Sequence, residues 1–472
     1  MKDLSENKKA IRSWIEQHRQ EFDELSLEIW SKPEIAFEEH EAVRLQIEFL
    51  EKYGFRVTRL EGMPTAFMAE RGEGGPVVGL LGEYDALAGL SQNVCAAPDP
   101  VSAGAAGHGC GHNLLGAGTM LAAVAAAEVL TERGVPVTVR YYGCPGEEQL
   151  TGKGMMAKLG CFGGTDVAIA WHPNDRSNVS DQTMTALVSA KFTFKGRAAH
   201  AGACPEAGRS ALDALELMNI GANYLREHML DQDRLHYVTT NGGLAPNIVP
   251  SSAEVWYYAR APHIDELVSL WRRLLKVANG AAMMTETEVS FKLVGGCYNT
   301  LANPVISDVL EENLLSFVGK IEYTDEERAF ADELQATLPE GAVAAALAAM
   351  PRLTPGDETL ASAPLARLEN CGSKFIMGST DVGDVGHIMP TAMIWGTSWP
   401  VGVPAHSWQS TASSGSSIGL KGQTQIGTAM AGAVCDLAED PSLVERAKQA
   451  FAEQRAGKPY KPIDELLTEE PA

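Results

Sequence analysis

The sequence lacks any Cys-x-x-Cys pair, and its eight cysteines in 472 residues follow no regular framework. That excludes a disulfide scaffold and a structural zinc ribbon, and it points to reduced thiols in a cytoplasmic protein. Positive charge is also short: 38 Lys and Arg face 61 Asp and Glu, for a net charge of −23. A chain this acidic repels phosphate backbones, which argues against nucleic acid as a partner, and any carboxylate ligand must be held by local cations. The opening residues, MKDLSENKKAIRSW, contain no apolar segment of the signal-peptide kind. The longest hydrophobic stretch, around Leu114–Leu130, is broken by Gly116, Gly118, Thr119 and Glu128, so it reads as a buried helix and no membrane is expected. There is no internal repeat and no Gly-x-Gly-x-x-Gly spacing, and Lys153 lacks the neighbours of a phosphate loop. What is present, 45% hydrophobic and 21% charged residues, is ordinary globular composition in a chain long enough for two domains.

Patterning divides the chain. Residues 8–31 and 38–53 read as amphipathic helices interrupted at Lys32-Pro33. Short apolar runs follow at Val77–Leu81, Val137–Tyr142 and Val167–Trp171, alternating with helical stretches at 114–132 and about 151–160. Buried strands alternating with helices predict an α/β fold with a mixed, largely parallel sheet flanked by helices. From 187 the pattern changes to strand, helix, two strands, helix, strand, ending near 297, the order of a ferredoxin-like α+β module. Residues 1–186 and 298–472 are therefore expected to form one domain, with 187–297 inserted into it. A helix restarts at Asn303-Pro304, and 335–366 reads as an insertion of short helix and loop. Lys374–Met377 and Ala392–Trp395 are expected to add sheet strands, 420–438 a late helix, and 457–472 a mobile tail.

The chemistry concentrates in Gly107-His108-Gly109-Cys110-Gly111-His112-Asn113, which places two imidazoles and a thiol on a glycine-rich turn. Cys110 and His112 can grip a divalent ion, or they can be a buried thiol beside a helix-capping histidine. Glu147-Glu148 follows the second strand run. One carboxylate can bind metal while the other shuttles protons, although paired glutamates are more often a solvated loop. His172, between Trp171 and Pro173, and His406, after Pro404-Ala405, complete a set of one Cys, two Glu and three His. Glu83, Asp85, Glu147, Glu148 and His172 all stand at or just after predicted strand ends, where open α/β sheets gather their ligands. His200, Asn247 and Arg260 lie in the second module, and an arginine on a strand can bind a carboxylate bidentately.

These motifs resemble the M20 metallopeptidase family, in its amidohydrolase branch. The resemblance runs from Lys32-Pro33-Glu34-Ile35-Ala36-Phe37-Glu38-Glu39 through Gly82-Glu83-Tyr84-Asp85-Ala86-Leu87, Gly109-Cys110-Gly111-His112, Pro145-Gly146-Glu147-Glu148 and Trp171-His172-Pro173. It ends in Ser379-Thr380-Asp381-Val382-Gly383-Asp384 and Pro404-Ala405-His406-Ser407-Trp408. It implies two divalent metal ions, Mn²⁺ or Zn²⁺, held by Cys110, His112, Glu148, His172 and His406. Glu147 would be the general base, and Asp85 would orient a ligand. The inserted module would be a lid and dimerisation domain. In it His200 would complete the partner subunit's site, and Asn247 and Arg260 would hold a substrate carboxylate. The implied reaction is hydrolysis of an N-acyl amino acid, p-aminobenzoyl-glutamate foremost, with indoleacetyl-amino acids and dipeptides as alternatives. A homo-oligomer, or a paralogous subunit as partner, is expected. Two rival readings remain: a cysteine amidase with Cys110 as nucleophile, which a chelator would leave active, and a non-catalytic subunit supporting a paralogous partner.

Overall fold

A computed structural model describes residues 4–349, 353–367 and 375–468. The chain opens with helix α1 (Glu6–Ser31), capped by the Ser5 hydroxyl, which accepts from the Lys8 amide. Its buried residues Ile11, Ile15, Phe22, Leu25 and Ile29 recur at helical spacing and turn one stripe to the core. After α2 (His40–Lys52) come strands β1 (Arg56–Leu60), β2 (Met63–Glu73) and β3 (Val77–Glu83). The first two form an antiparallel edge hairpin that the sequence pattern did not announce, because β1 is largely exposed and carries charge where a buried strand would carry apolar residues.

Then follow α3 (His112–Glu132), β4 (Val137–Cys144), α4 (Gly152–Lys158) and β5 (Val167–Asn174), with the short β6 (Asn178–Ser180) and β7 (Thr183–Met184). The inserted unit contains β8 (Ala186–Lys195), α5 (Ala211–Leu225), β9 (Arg234–Asn241), β10 (Ser252–Ala261), α6 (Ile264–Thr285) and β11 (Glu288–Cys297). The return consists of α7 (Pro304–Glu312), α8 (Asp325–Ala336), α9 (Ala342–Ala348), β12 (Phe375–Ile376), α10 (Val382–Gly386), β13 (Thr391–Thr397), α11 (Trp408–Ser414), α12 (Ser417–Glu439), α13 (Ser442–Arg455) and α14 (Ile463–Thr468).

The large sheet has the order β1-β2-β4-β3-β5-β13-β6. Its centre, β4-β3-β5-β13, is parallel, and the flanking pairs are antiparallel. Neighbouring residues feed opposite layers: Leu80, Tyr141 and Ile169 join the core under α1, α3 and α12, while Leu81, Tyr142 and Ala170 join the core under α4 and α10. Because α3 is sandwiched between the sheet, α1 and α12, it is apolar on every side. Among the described residues it is the one helix long and apolar enough to cross a membrane, and 89% of its most apolar 18-residue stretch is buried inside the molecule.

The inserted unit forms an all-antiparallel sheet of order β11-β8-β10-β9. Helices α5 and α6 cover one face, packing Leu215, Met218, Trp271 and Leu274 onto Phe192, Phe194 and Tyr257. This is the ferredoxin-like arrangement expected of the strand order.

Three expectations need correction or refinement. The strand expected at Lys374–Met377 does not join the large sheet; Phe375–Ile376 pairs in parallel with β7 as a separate ribbon, and Lys374 lies outside the described residues. The insertion expected at 335–366 seats on the loop after β13, where Val401 N donates to Thr359 O and Gln335 Nε2 to Val401 O; residues 350–352 lie outside the described ones. The expected mobile tail is docked as far as it is described. Tyr460 donates to Asp384 Oδ1 at 2.8 Å, Tyr298 to Lys461 O at 2.8 Å, and Trp271 Nε1 to Leu467 O at 3.2 Å. Residues 469–472 lie outside the described residues. The tail is held by Tyr460, Ile463, Leu466 and Leu467 on the core of the inserted unit, a few apolar side chains that its charged neighbours hide from a composition-based reading.

Asp384 is fully buried, and burial pushes its carboxyl from the ordinary 3.8 up to about 7 despite the Tyr460 hydrogen bond. A raised acid binds its proton more tightly folded than unfolded, so it stabilises fully below 3.8 and loses that contribution as pH rises to about 7. In chemical denaturation across this window, Asp384→Asn should gain stability relative to the wild type as pH rises. A constant difference between the two would contradict the assignment.

Candidate metal centre

Glycine conformation begins the site. Gly111 sits at φ 73°, where an L side chain is strained, and a Cβ there would lie 3.0 Å from Pro173 Cγ. The sharp turn it permits lets Cys110 and His112 face the same way as α3 begins. Asp85, just beyond β3, is completely buried. Its Oδ1 accepts from His112 Nδ1 at 2.9 Å and its Oδ2 from the Glu148 amide at 2.9 Å. His112 is thereby fixed with Nε2 directed into the site. His172 lies near the end of β5, and its Nδ1 contacts Pro173 O at 2.7 Å, which leaves Nε2 at 3.2 Å from Cys110 Sγ.

His406 comes from the loop before α11 and adopts φ 61°, a conformation that costs of order 1–3 kcal/mol for a non-glycine residue. Its amide donates to Gly109 O at 3.0 Å and the Ser410 hydroxyl to the same carbonyl at 2.6 Å, so the strained loop is tied to the Cys110 turn. His406 Nε2 lies 3.5 Å from Glu148 Oε2. The structure thus brings Cys110, His112, Glu148, His172 and His406 to one rim from remote segments.

Their donor atoms form two groups, Cys110–His112–His172 and Cys110–Glu148–His406, each with all atoms within 4.8 Å of one another. Cys110 belongs to both. His112 Nε2 and Glu148 Oε1 are buried with no hydrogen-bond partner in the protein, a costly state that a cation would relieve. Thiolate, imidazole and carboxylate at this spacing fit a pair of divalent ions. His108, two residues before Cys110, is also buried with neither ring nitrogen partnered.

Burial and neighbouring charges shift several groups of the site. Burial alone would raise the Asp85 carboxyl, but the His112 hydrogen bond and charge outweigh it and hold the carboxyl below its ordinary range. Burial, followed by repulsion from Glu83, Asp381 and Glu148, drives Glu147 well above the usual carboxylate range. Burial likewise raises Glu148 to about 7. Burial lowers His172 to about 4, leaving its ring neutral at physiological pH.

Cys110, Glu147, Glu148, His172 and His406 line a cleft of about 670 Å³. Its lining also includes Met184, Met377, Met393 and Trp395, with Ser379, Thr380 and, from the inserted unit, Tyr258 and Arg260. Arg260 Nη1 donates to Ser379 Oγ at 3.0 Å. Arg260 therefore reaches the cleft, whereas His200 and Asn247 do not line it. Those two lie together on an exposed edge of the inserted unit, joined through the Ala201 amide and Asn247 O.

Sequence reasoning missed Lys153 and Asp381 as neighbours of the site. Lys153 is completely buried between Glu83 and Asp381. The two glycines around Lys153 and the motif containing Asp381 were visible, but nothing in either showed that they meet.

The inserted unit matches a family model described as the peptidase dimerisation domain over residues 185–283. Along its length the chain is 39% identical over 484 residues to one of the subunits of the p-aminobenzoyl-glutamate hydrolase of Escherichia coli (strain K12), covering 99% of this chain and 100% of that one. Among solved structures it is similar to a putative aminohydrolase from methicillin-resistant Staphylococcus aureus, with 15% identity, a TM-score of 0.66 and coverage of 91% and 99%. It is also similar to a dinuclear metal-binding peptidase of the M20 family from Bacillus subtilis, with 16% identity, a TM-score of 0.58 and coverage of 90% and 99%.

Gly111→Ala should lower stability by about 1–3 kcal/mol, from backbone strain and the Pro173 contact, and weaken zinc uptake by displacing His112. Thermal melting and zinc titration check this, and unchanged values in both would refute the assigned turn.

Proposed function

The chain belongs to the M20 metallopeptidase family, in its amidohydrolase branch, and from this premise we propose that it hydrolyses the amide bond of N-acyl amino acids, with p-aminobenzoyl-glutamate as the substrate. The observation that carries the reaction class is the sharing of Cys110 between two ligand groups with Glu147 beside them. The whole-length similarity to a hydrolase chain named for p-aminobenzoyl-glutamate supports the substrate.

Cys110, His112, Glu148, His172 and His406 would hold two divalent ions, Zn²⁺ or Mn²⁺, with the thiolate favouring zinc. When bound, such ions polarise an amide carbonyl and acidify a water. The protein supplies the rest. Glu147 is almost wholly buried with its Oε2 4.0 Å from His112 Nε2, a position from which it can take a proton from water and return it to the departing amine. Asp85 keeps the His112 ring and the Glu148 backbone in register. Trp395, Met377 and Met393 offer an apolar wall for an aryl group, and Arg260 offers the positive charge that a substrate carboxylate needs in this acidic chain.

His200 and Asn247 lie outside the cleft of their own chain and on an exposed edge. We propose that they serve the site of a second copy, joined through the inserted unit. The unpaired cysteines suit a reducing compartment, the cytoplasm. The Escherichia coli relative is named as one subunit of a hydrolase, which favours one further reading, a chain that works only beside a paralogous partner. Assay of the purified chain alone separates the two.

Glu147→Gln should retain both ions and lower turnover of p-aminobenzoyl-glutamate by about 10²–10⁴-fold. A fully active variant would remove Glu147 from the mechanism. Mixing Glu147→Gln with His200→Ala should recover activity that neither shows alone, because each mixed dimer then contains one intact site. No recovery, with mixed dimers demonstrated by differential tags, would sink the role of His200 across the interface.

A further inference from the structure

A fully buried ammonium next to a centre that gathers cations needs an explanation. Lys153 is 0% exposed, at the start of α4. Its Nζ lies 2.5 Å from Glu83 Oε1 and 2.5 Å from Asp381 Oδ1, and its own amide donates to Asp381 Oδ2 at 2.8 Å. Burying three charges in this way is costly, and apolar residues of the same volume would stabilise the fold at least as well. The arrangement does, however, fix the orientation of Glu83. One of its oxygens is taken by Lys153. The other, Oε2, is buried without any protein partner and lies 3.3 Å from His112 Nε2, which is also unpartnered. His112 Nδ1 is already committed to Asp85, so Nε2 is the atom left for a cation. Glu83, His112 and Glu147 present donor atoms within 4.8 Å of one another.

We propose that Lys153, with Asp381, is a positioning residue that holds Glu83 as an additional oxygen ligand of the cation bound by His112. This rests on the metal-centre reading above. It makes the two ions unequal. The first, bound at His112, would have an oxygen of Glu83 available to it on the side where Glu83, His112 and Glu147 converge. The second would have three protein ligands, Cys110, Glu148 and His406, and keep an open position toward the cleft, as reactive sites do. Glu147 stays free as the proton carrier.

The test is calorimetric titration of metal-free protein with Zn²⁺, together with the absorption spectrum of the Co²⁺-loaded form, which reads coordination geometry. Glu83→Gln is isosteric and keeps its bond to Lys153 through the amide oxygen, while an NH₂ group replaces the free carboxylate oxygen. It should bind one of two zinc ions at least tenfold more weakly, leave the other unchanged, and alter the cobalt spectrum. Lys153→Met should weaken the same ion, and His406→Ala the other. Each variant's folding is checked by circular dichroism. Glu83→Asp, which keeps the charge but retracts the oxygen, gives the same comparison if Glu83→Gln does not fold. Wild-type affinities and spectrum in either Glu83 variant, or equal weakening of both ions, would overturn the proposal. A wild-type protein that takes up fewer than two zinc ions would sink the metal centre itself.

Discussion

Asp85 is the constraint on which the site depends. One buried carboxylate accepts from the His112 ring with one oxygen and from the Glu148 backbone with the other. It thereby joins the Cys110–His112 turn to the Glu147–Glu148 turn, two segments that β3 and β4 bring to the same sheet edge. Two further contacts complete the centre. The Pro173 carbonyl aims His172, and the Gly109 carbonyl anchors the strained backbone of His406. His112 and His172 are each held by Nδ1, which turns Nε2 of both toward Cys110 and the site.

The cleft follows from how two units share a wall. Strand β13 of the large sheet supplies Met393 and Trp395, the β7–β12 ribbon and the residue after it supply Met184 and Met377, and the inserted unit supplies Tyr258 and Arg260. Ser379, on the segment after β12, bonds Arg260 and Thr185, so this segment is the seam between the units. The last described segment also joins the two units, Tyr460 to Asp384 and Leu467 to Trp271. A reaction that splits one substrate into an acyl and an amino part benefits from having the two walls on different units, since each can present different chemistry to its half of the substrate.

Much of this was legible in the linear chain. Strand runs ended where Glu83, Asp85, Glu147, Glu148 and His172 stand, and an open parallel sheet places strand ends together. The break in pattern at 187 and the βαββαβ order announced the inserted unit, because period-two and helical spacing differ sharply there. The β1–β2 hairpin was not legible, since an exposed edge strand buries too little to leave a pattern. The docked tail was missed for the same reason: a few apolar residues among charged ones carry its packing. His406 was identified by residue type and motif, and its path into the site depends on a backbone bond to Gly109 across about three hundred residues of sequence.

By itself, the sequence determined which side chains could do the chemistry, because thiol, imidazole and carboxylate are fixed by residue identity, and which strands would carry them, because burial imprints its period on the chain. Only the tertiary structure decided that Cys110 serves two ligand groups, that Arg260 reaches the cleft while His200 and Asn247 do not, and that Lys153 is buried between Glu83 and Asp381. Those are facts of distance between remote segments. Distance is set by how sheet, insertion and tail pack in three dimensions, and no local run of residues encodes it.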